Sequence, residues 1–362
     1  MKEELRIFIT DCEGPISKND NAFELTSQFI PDGDRLFTLI SRYDDVLADV
    51  VKKQGYKAGD TLRLILPFLK AYGATNDKMR VYSSENILLV PGADETLRFV
   101  RDTMLAFIVS TSYEHYISTL CDAVGFPKEN AYCTKLDIDR YELEEKEVER
   151  IKMLREKMSK MPMIEMPVDA KSLDELPPES QATVKRLDEI FWEDILRMKS
   201  GRMLIDVNPV GGYEKANAVK EITEKFNADL SNVIYIGDSI TDVDPFQLVR
   251  SGGGLTVSFN GNQYAIREAE IAVLSHHTVV ISILTEIFKK FGKEYVIRSA
   301  ENWTHSSLKG LCSPFLLDCL KMLYPEKAPH VERITLDNME RLIWESIAFR
   351  KTVRGEAIGK LG

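Results

Sequence analysis

The stretch Leu5–Ser17 reads L-R-I-F-I-T-D-C-E-G-P-I-S, and the rest of the chain is organised around it. An apolar run, Ile7, Phe8 and Ile9, has charge before it and an Asp-x-Glu-Gly turn after it. That is the pattern of a buried strand delivering two carboxylates at its C-terminal edge, where open α/β sheets bind ligands. Residues two apart in an extended chain point the same way, so Asp11 and Glu13 can face one pocket while Gly14 and Pro15 turn the backbone away. Two carboxylates in different surroundings can divide labour, one as nucleophile and one as proton carrier. Acids after a strand are also ordinary turn residues, and this stretch alone does not separate the two readings.

The 362 residues suffice for a sizeable core and two to three structural units. A hydrophobic fraction of 44% and a charged fraction of 29% are those of an ordinary globular protein. The net charge is −10, and Lys and Arg are scattered among acids instead of forming a basic stripe, so nucleic acid is not an expected partner. Five cysteines, Cys12, Cys121, Cys133, Cys312 and Cys319, match no metal-ligand spacing and include no C-x-x-C pair. A reducing compartment is expected from them. The opening M-K-E-E-L has no apolar export segment behind it, and no later window approaches the length of a membrane span. The expected location is cytoplasmic.

Beyond the first strand, Phe23, Phe29, Leu36, Phe37, Leu39, Ile40, Val46, Leu47, Val50 and Val51 recur at three- and four-residue steps, and Leu62–Leu69 continues the helical pattern. A helical lobe at this place overhangs the strand's end and can act as a lid. Val90-Pro91-Gly92 restarts a helix that leads into a second buried strand, M-L-A-F-I-V, ending in Ser110, Thr111 and Ser112. Strand-end hydroxyls either bind a phosphoryl oxygen or cap the helix that begins near Tyr113. From about 141 to 200 the chain is charged and helical, with an apolar stripe at Val148, Ile151, Leu154 and Met158, and nothing there suggests chemistry.

Lys215 falls in the first turns of a helix, where it opposes the dipole unless an anion or carboxylate stands in front of it. Next comes N-V-I-Y-I-G-D-S-I-T-D, a buried strand ending in Gly237-Asp238, with Asp242 four residues on. Strand-end acids beside a glycine suit Mg²⁺, a hard ion that takes one or two carboxylates plus phosphate and water. This is the most specific single motif in the chain. L-T-V-S-F-N-G-N offers a further strand and loop reaching the same edge, with Asn260 as a candidate pocket residue. The tail beyond about 285 is helical, and its histidines show no ligand spacing.

D-C-E-G at the first strand, V-S-T-S at the second, the helical Lys215 and G-D-S-I-T-D resemble, in order and setting, the four motifs of the haloacid dehalogenase superfamily. The D-x-E-G form is similar to that of its enolase-phosphatase and phosphoserine-phosphatase-like branches. The match covers about 11–17, 90–135 and 203–275. The resemblance implies a Rossmann-like α/β core with a parallel sheet over 1–17, 90–140 and 201–285. It also implies a helical cap at 18–89; a helical insertion at 141–200 and a helical C-terminal extension at 286–362, read from the helical pattern, lie outside the match. It makes Asp11 the nucleophile that becomes an aspartyl-phosphate and Glu13 the general acid, then base. Ser110, with Thr111 beside it, and Lys215 would bind and neutralise the phosphoryl group. A Mg²⁺ site would be formed by Asp11, Asp238 and the main-chain carbonyl of Glu13, supported by Asp242. The chemistry agrees, because a phosphate monoester repels an anionic nucleophile until Mg²⁺ and a lysine offset its charge. Two features depart from the phosphoserine-phosphatase pattern: Thr111 and Ser112 follow Ser110 where glycines are expected, and the 141–200 insertion is extra.

The expected activity is therefore Mg²⁺-dependent hydrolysis of a small phosphorylated metabolite. A phosphotransferase using the same residues, and a non-catalytic phospho-ligand-binding protein, are the alternatives. The helical extensions offer a surface for homo-oligomers, and no membrane partner is expected.

Overall fold

The computed structural model describes residues 5–167 and 170–360. Met1–Glu4, the acidic opening read above, lie outside these.

Among the described residues seven strands make one sheet: β1 (Ile7–Thr10), β2 (Leu105–Tyr113), β3 (Ala131–Thr134), β4 (Val233–Gly237), β5 (Leu255–Phe259), β6 (Ile271–Leu274) and β7 (His330–Arg333). Their order is β3-β2-β1-β4-β5-β6-β7. All neighbours run parallel except β7, which pairs antiparallel with β6. A parallel sheet is covered on both faces, and β1 meets that demand with successive apolar side chains. Phe8 enters the core that holds Ile108, Ile234 and Val257. Ile7 and Ile9 enter the opposite core with Phe107, Val109 and Tyr235. Helices Ala93–Thr103, Glu114–Val124 and Val279–Phe291 cover the first face, and Tyr213–Lys225 and Val243–Ser251 cover the second.

From β1 the chain goes to β2 and β3 on one side, then crosses to β4 and onward on the other. The loops after β1 and β4 therefore diverge, which opens a crevice at the C-terminal ends of those two strands. Asp11 and Asp238 each follow the last residue of one of these strands.

Over the crevice lies a helical body with a core of its own. The segment after β1 supplies Asn21–Phe29, Gly33–Asp45 with a π-helical continuation Val46–Val50, Thr61–Ala71 and Asn76–Glu85. The segment after β3 supplies Glu145–Ser159, Pro178–Asp188, the π-helical Glu189–Ile195 and Gly201–Asp206. The sequence presents two insertions, and in the fold they bury one shared set of apolar side chains. Phe191 of the second stacks on Tyr43 of the first at 5.7 Å and meets Phe68 edge-on at 6.2 Å. The Tyr43 hydroxyl donates to Asp188 at 2.6 Å and accepts from Trp192 Nε1 at 2.8 Å, so the polar atoms of Tyr43 and Trp192 are satisfied.

The C-terminal region adds helices Lys293–Glu301 and Pro314–Leu323, then β7, then the long helix Met339–Arg354. That last helix turns Leu342, Ser346, Arg350 and Val353 inward. Leu342 packs with Ile266 and Ala272, and Ser346 Oγ donates to the carbonyl of Gly261 at 2.5 Å. The helix is thereby fastened beside the C-terminal edge of the sheet. Among the described residues no helix is long and apolar enough to cross a membrane. All five cysteines are free.

Candidate active site

Asp11 leaves the end of β1 with its N–H donating to Ile236 of β4 at 2.8 Å, which pins the loop across the crevice. Its Oδ1 accepts from the Cys12 N–H at 2.6 Å and its Oδ2 from Lys215 Nζ at 2.6 Å. Lys215 is fully buried and reaches Asp242 Oδ1 at 2.8 Å as well. The carboxylates in front of it are those that its place in a helix's first turn demands. Burial works against the charged amine, and Asp11 and Asp242 more than reverse this, so the lysine stays protonated. Burial also pushes the Asp11 carboxyl up to about 7, with Asp242 and Asp238 adding to the rise and Lys215 opposing it.

Asp242 is fully engaged. Its Oδ1 also accepts from the Tyr235 hydroxyl at 2.8 Å, and its Oδ2 from the N–H groups of Asp238 and Ser239 at 3.0 and 3.1 Å. It thus shapes the turn that presents Asp238. Gly14 lets the other loop close on that turn: its φ is +106°, and a Cβ there would lie 2.2 Å from Asp238 Cγ. Asp11, Asp238 and Asp242 each offer an oxygen within 4.8 Å of the others. An all-oxygen, all-carboxylate donor set of this size fits a hard divalent cation such as Mg²⁺. Asp11 and Asp238, together with the main chain of the first loop, are the groups that could hold it, because the Asp242 oxygens are already spent.

Glu13 points toward the helical body, and its Oε1 accepts from the N–H of Asn21, the first residue of the body's first helix, at 2.8 Å. Burial holds its carboxyl well above the usual carboxylate range, with Asp20 adding to the rise and the Asn21 N–H and Arg354 opposing it.

The strand-end hydroxyls of β2 do not cap the next helix, whose N-cap Tyr113 makes no side-chain capping bond. Ser110 is buried, with its Oγ bonded to Ser112 at 3.2 Å. Thr111 lines the cleft, and its Oγ1 is buried without a partner. Asn260 departs from the sequence reading. Its amide donates to the Ser275 carbonyl and accepts from the Ser275 N–H, both at 2.9 Å, so it ties the end of β5 to the end of β6 instead of facing the cleft.

A cleft lies between the sheet and the helical body. Its floor is Asp11, Glu13, Thr111 and Asp238, and its roof includes Phe37, Asp44, Asp45 and Gly59. The roof is close enough that a Cβ on Gly59, whose φ is +93°, would lie 2.8 Å from Thr111 Cγ2. Asp44 and Asp45 stand where the helix Gly33–Asp45 becomes π-helical, a distortion frequent at functional sites. Burial pushes them up to about 7 and about 8, respectively.

Arg350 and Arg354 line the same cleft, although they lie over a hundred residues beyond the last motif. Arg350 bonds the Asp238 carboxylate directly, and Arg354 Nη1 lies 3.3 Å from the same oxygen. Sequence reasoning missed them because basic residues on a terminal helix read as a solvated face. The signal was present: Ser346, Arg350 and Arg354 repeat every four residues on the side that also carries Leu342.

Residues 98–282 match the family model of haloacid dehalogenase-like hydrolases, a span that contains Ser110, Lys215, Asp238 and Asp242. Among solved structures, gene product AF1437 from Archaeoglobus fulgidus is 25% identical, with 99% of each chain covered and a TM-score of 0.80. A phosphoserine phosphatase in apo form is 12% identical over 77% of this chain and 98% of its own, with a TM-score of 0.47. No curated protein matches the chain. With more than half of its residues inside the family model, the chain belongs to the haloacid dehalogenase-like hydrolases.

Proposed function

We propose that the protein is a Mg²⁺-dependent phosphatase that hydrolyses a small phosphorylated metabolite through an aspartyl-phosphate at Asp11. The observation that carries this reading is the buried Asp11–Lys215–Asp242 chain with Asp238 beside it, open to the cleft through Asp11 and Asp238. A carboxylate held by a fixed ammonium, next to a site for a hard cation, is what attack on a phosphate ester requires.

Asp11 attacks phosphorus in line as the bond to the ester oxygen breaks, and Glu13 gives its proton to that oxygen. Glu13, now a carboxylate, takes a proton from water as the water attacks phosphorus, the bond to Asp11 breaks and inorganic phosphate leaves. The raised Glu13 carboxyl supports the first role, since a donor must hold its proton near neutral pH. A divalent cation held by Asp11 and Asp238 would neutralise charge on the transferring group. Lys215 holds Asp11 and offsets the same charge from below. Of the β2 hydroxyls, Thr111 has its Oγ1 unspent and lines the cleft, which supports it as the phosphoryl contact alongside Ser110. The roof excludes bulk water and selects the rest of the substrate.

Phosphate release from a panel of phosphorylated metabolites, with and without Mg²⁺, tests the reading. Turnover requires the metal and falls on the order of a thousandfold or more in Asp11→Asn. Turnover that survives in folded Asp11→Asn, or that ignores the metal, contradicts it.

A further inference from the structure

Arg350 and Arg354 stand one turn apart on the C-terminal helix with side chains only 3% and 5% exposed. Both address one oxygen, Asp238 Oδ2. Their remaining partners are main-chain carbonyls, those of Asp238 and Asn260 for Arg350 (3.3 and 3.4 Å) and those of Lys18 (3.1 Å) and Asn19 for Arg354. Arg350 Nε is buried with no partner. Two enclosed cations thus share a single directly bonded carboxylate, with Asp20 acting on both and Glu13 on Arg354 from further off, and that carboxylate is one that a divalent cation would take.

Buried guanidinium groups need an anion. Once Asp238 turns to a metal ion, Arg350 and Arg354 keep only carbonyl oxygens as direct partners and face a further positive charge. Lys215 bonds Asp11, whereas the arginines come from the C-terminal helix and bond Asp238. The helix is held by Leu342 and by the Ser346 bond to Gly261, so the two forks are presented by a fixed element and do not sweep the surface.

We propose that Arg350 and Arg354 form a second anion subsite, through which the enzyme selects phosphate esters that carry a further anionic group. This rests on the phosphatase reading and names the substrate class for the same site. An anion on the arginines frees Asp238 for the metal, and metal on Asp238 frees the arginines for the anion, so the two ligands reinforce each other.

The test is calorimetric and needs no turnover. Methylphosphonate, with one anionic group, is compared with phosphonoacetate, 3-phosphonopropionate and 4-phosphonobutyrate on the full-length, Mg²⁺-loaded protein. The best carboxylated probe binds about tenfold or more tighter than methylphosphonate, the worth of one added charge-assisted hydrogen bond. Arg350→Met and Arg354→Met each bring that ratio toward one, and Mg²⁺ binds Arg350→Met more tightly because Asp238 has lost a competing cation. Thermal melts establish that the variants fold; Arg350→Lys, which keeps the charge and loses the fork, replaces Arg350→Met if it does not. Equal affinity for all four probes in wild type, or a ratio that survives in both variants, overturns the subsite alone. Failure of every probe to bind, with no metal-dependent phosphate release, overturns the phosphatase reading with it.

Discussion

Asp45 is a carboxyl enclosed in the roof with one oxygen that finds no partner, and burial raises it from 3.8 to about 8. A group whose folded value lies above its unfolded one keeps its proton longer in the folded state. The stability this contributes is complete below pH 4 and is lost as pH rises toward 8. Asp45→Asn, which keeps the shape and cannot ionise, therefore gains on wild type between pH 5 and pH 8, by about 1.4 kcal/mol per pH unit at most. Urea unfolding at the two pH values checks this, and equal slopes for the two proteins would contradict it. Asp11, Glu13, Lys215, Asp238 and Asp242 were legible in the sequence because each sits within a few residues of the strand or helix that aims it. Asp44, Asp45, Arg350 and Arg354 were not, because their environment is made by segments far away in the chain. Asn260 was misread for the same reason: the strand pattern placed it at the right edge, and only its bonds to Ser275 show which way its amide turns.

At the scale of elements, helical periodicity marked both stretches that make the roof, and it carried no sign that they pack on each other. Phe191 joins them, fully buried between Tyr43 and Phe68. Phe191→Ala is expected to cost about 3–5 kcal/mol of stability by leaving a cavity at the seam. Denaturant unfolding measures that loss, and a loss below about 1 kcal/mol would mean that the two stretches are independently stable. The edge strand β7 escaped the sequence reading for a different reason. Its four residues, His330–Arg333, carry one fully apolar side chain and pair with β6 through the backbone, so they present no alternation to detect. The helix that follows was legible, and its inner polar face was not read as a site.

Across the whole molecule, three distant parts of the chain meet at one crevice. The sheet reversal supplies Asp11 and Asp238, the helical body closes over them, and the C-terminal helix brings two arginines from the side. The central claim is that Asp11 carries the phosphoryl group between substrate and water. The direct measurement is intact-protein and peptide mass spectrometry after acid quench during turnover of the best substrate with Mg²⁺. One phosphoryl group on the peptide containing Asp11, absent from Asp11→Asn and removed by hydroxylamine, is the result this account predicts. Turnover with no phosphorylated protein at any quench time, or a phosphoryl group on another residue, would contradict it.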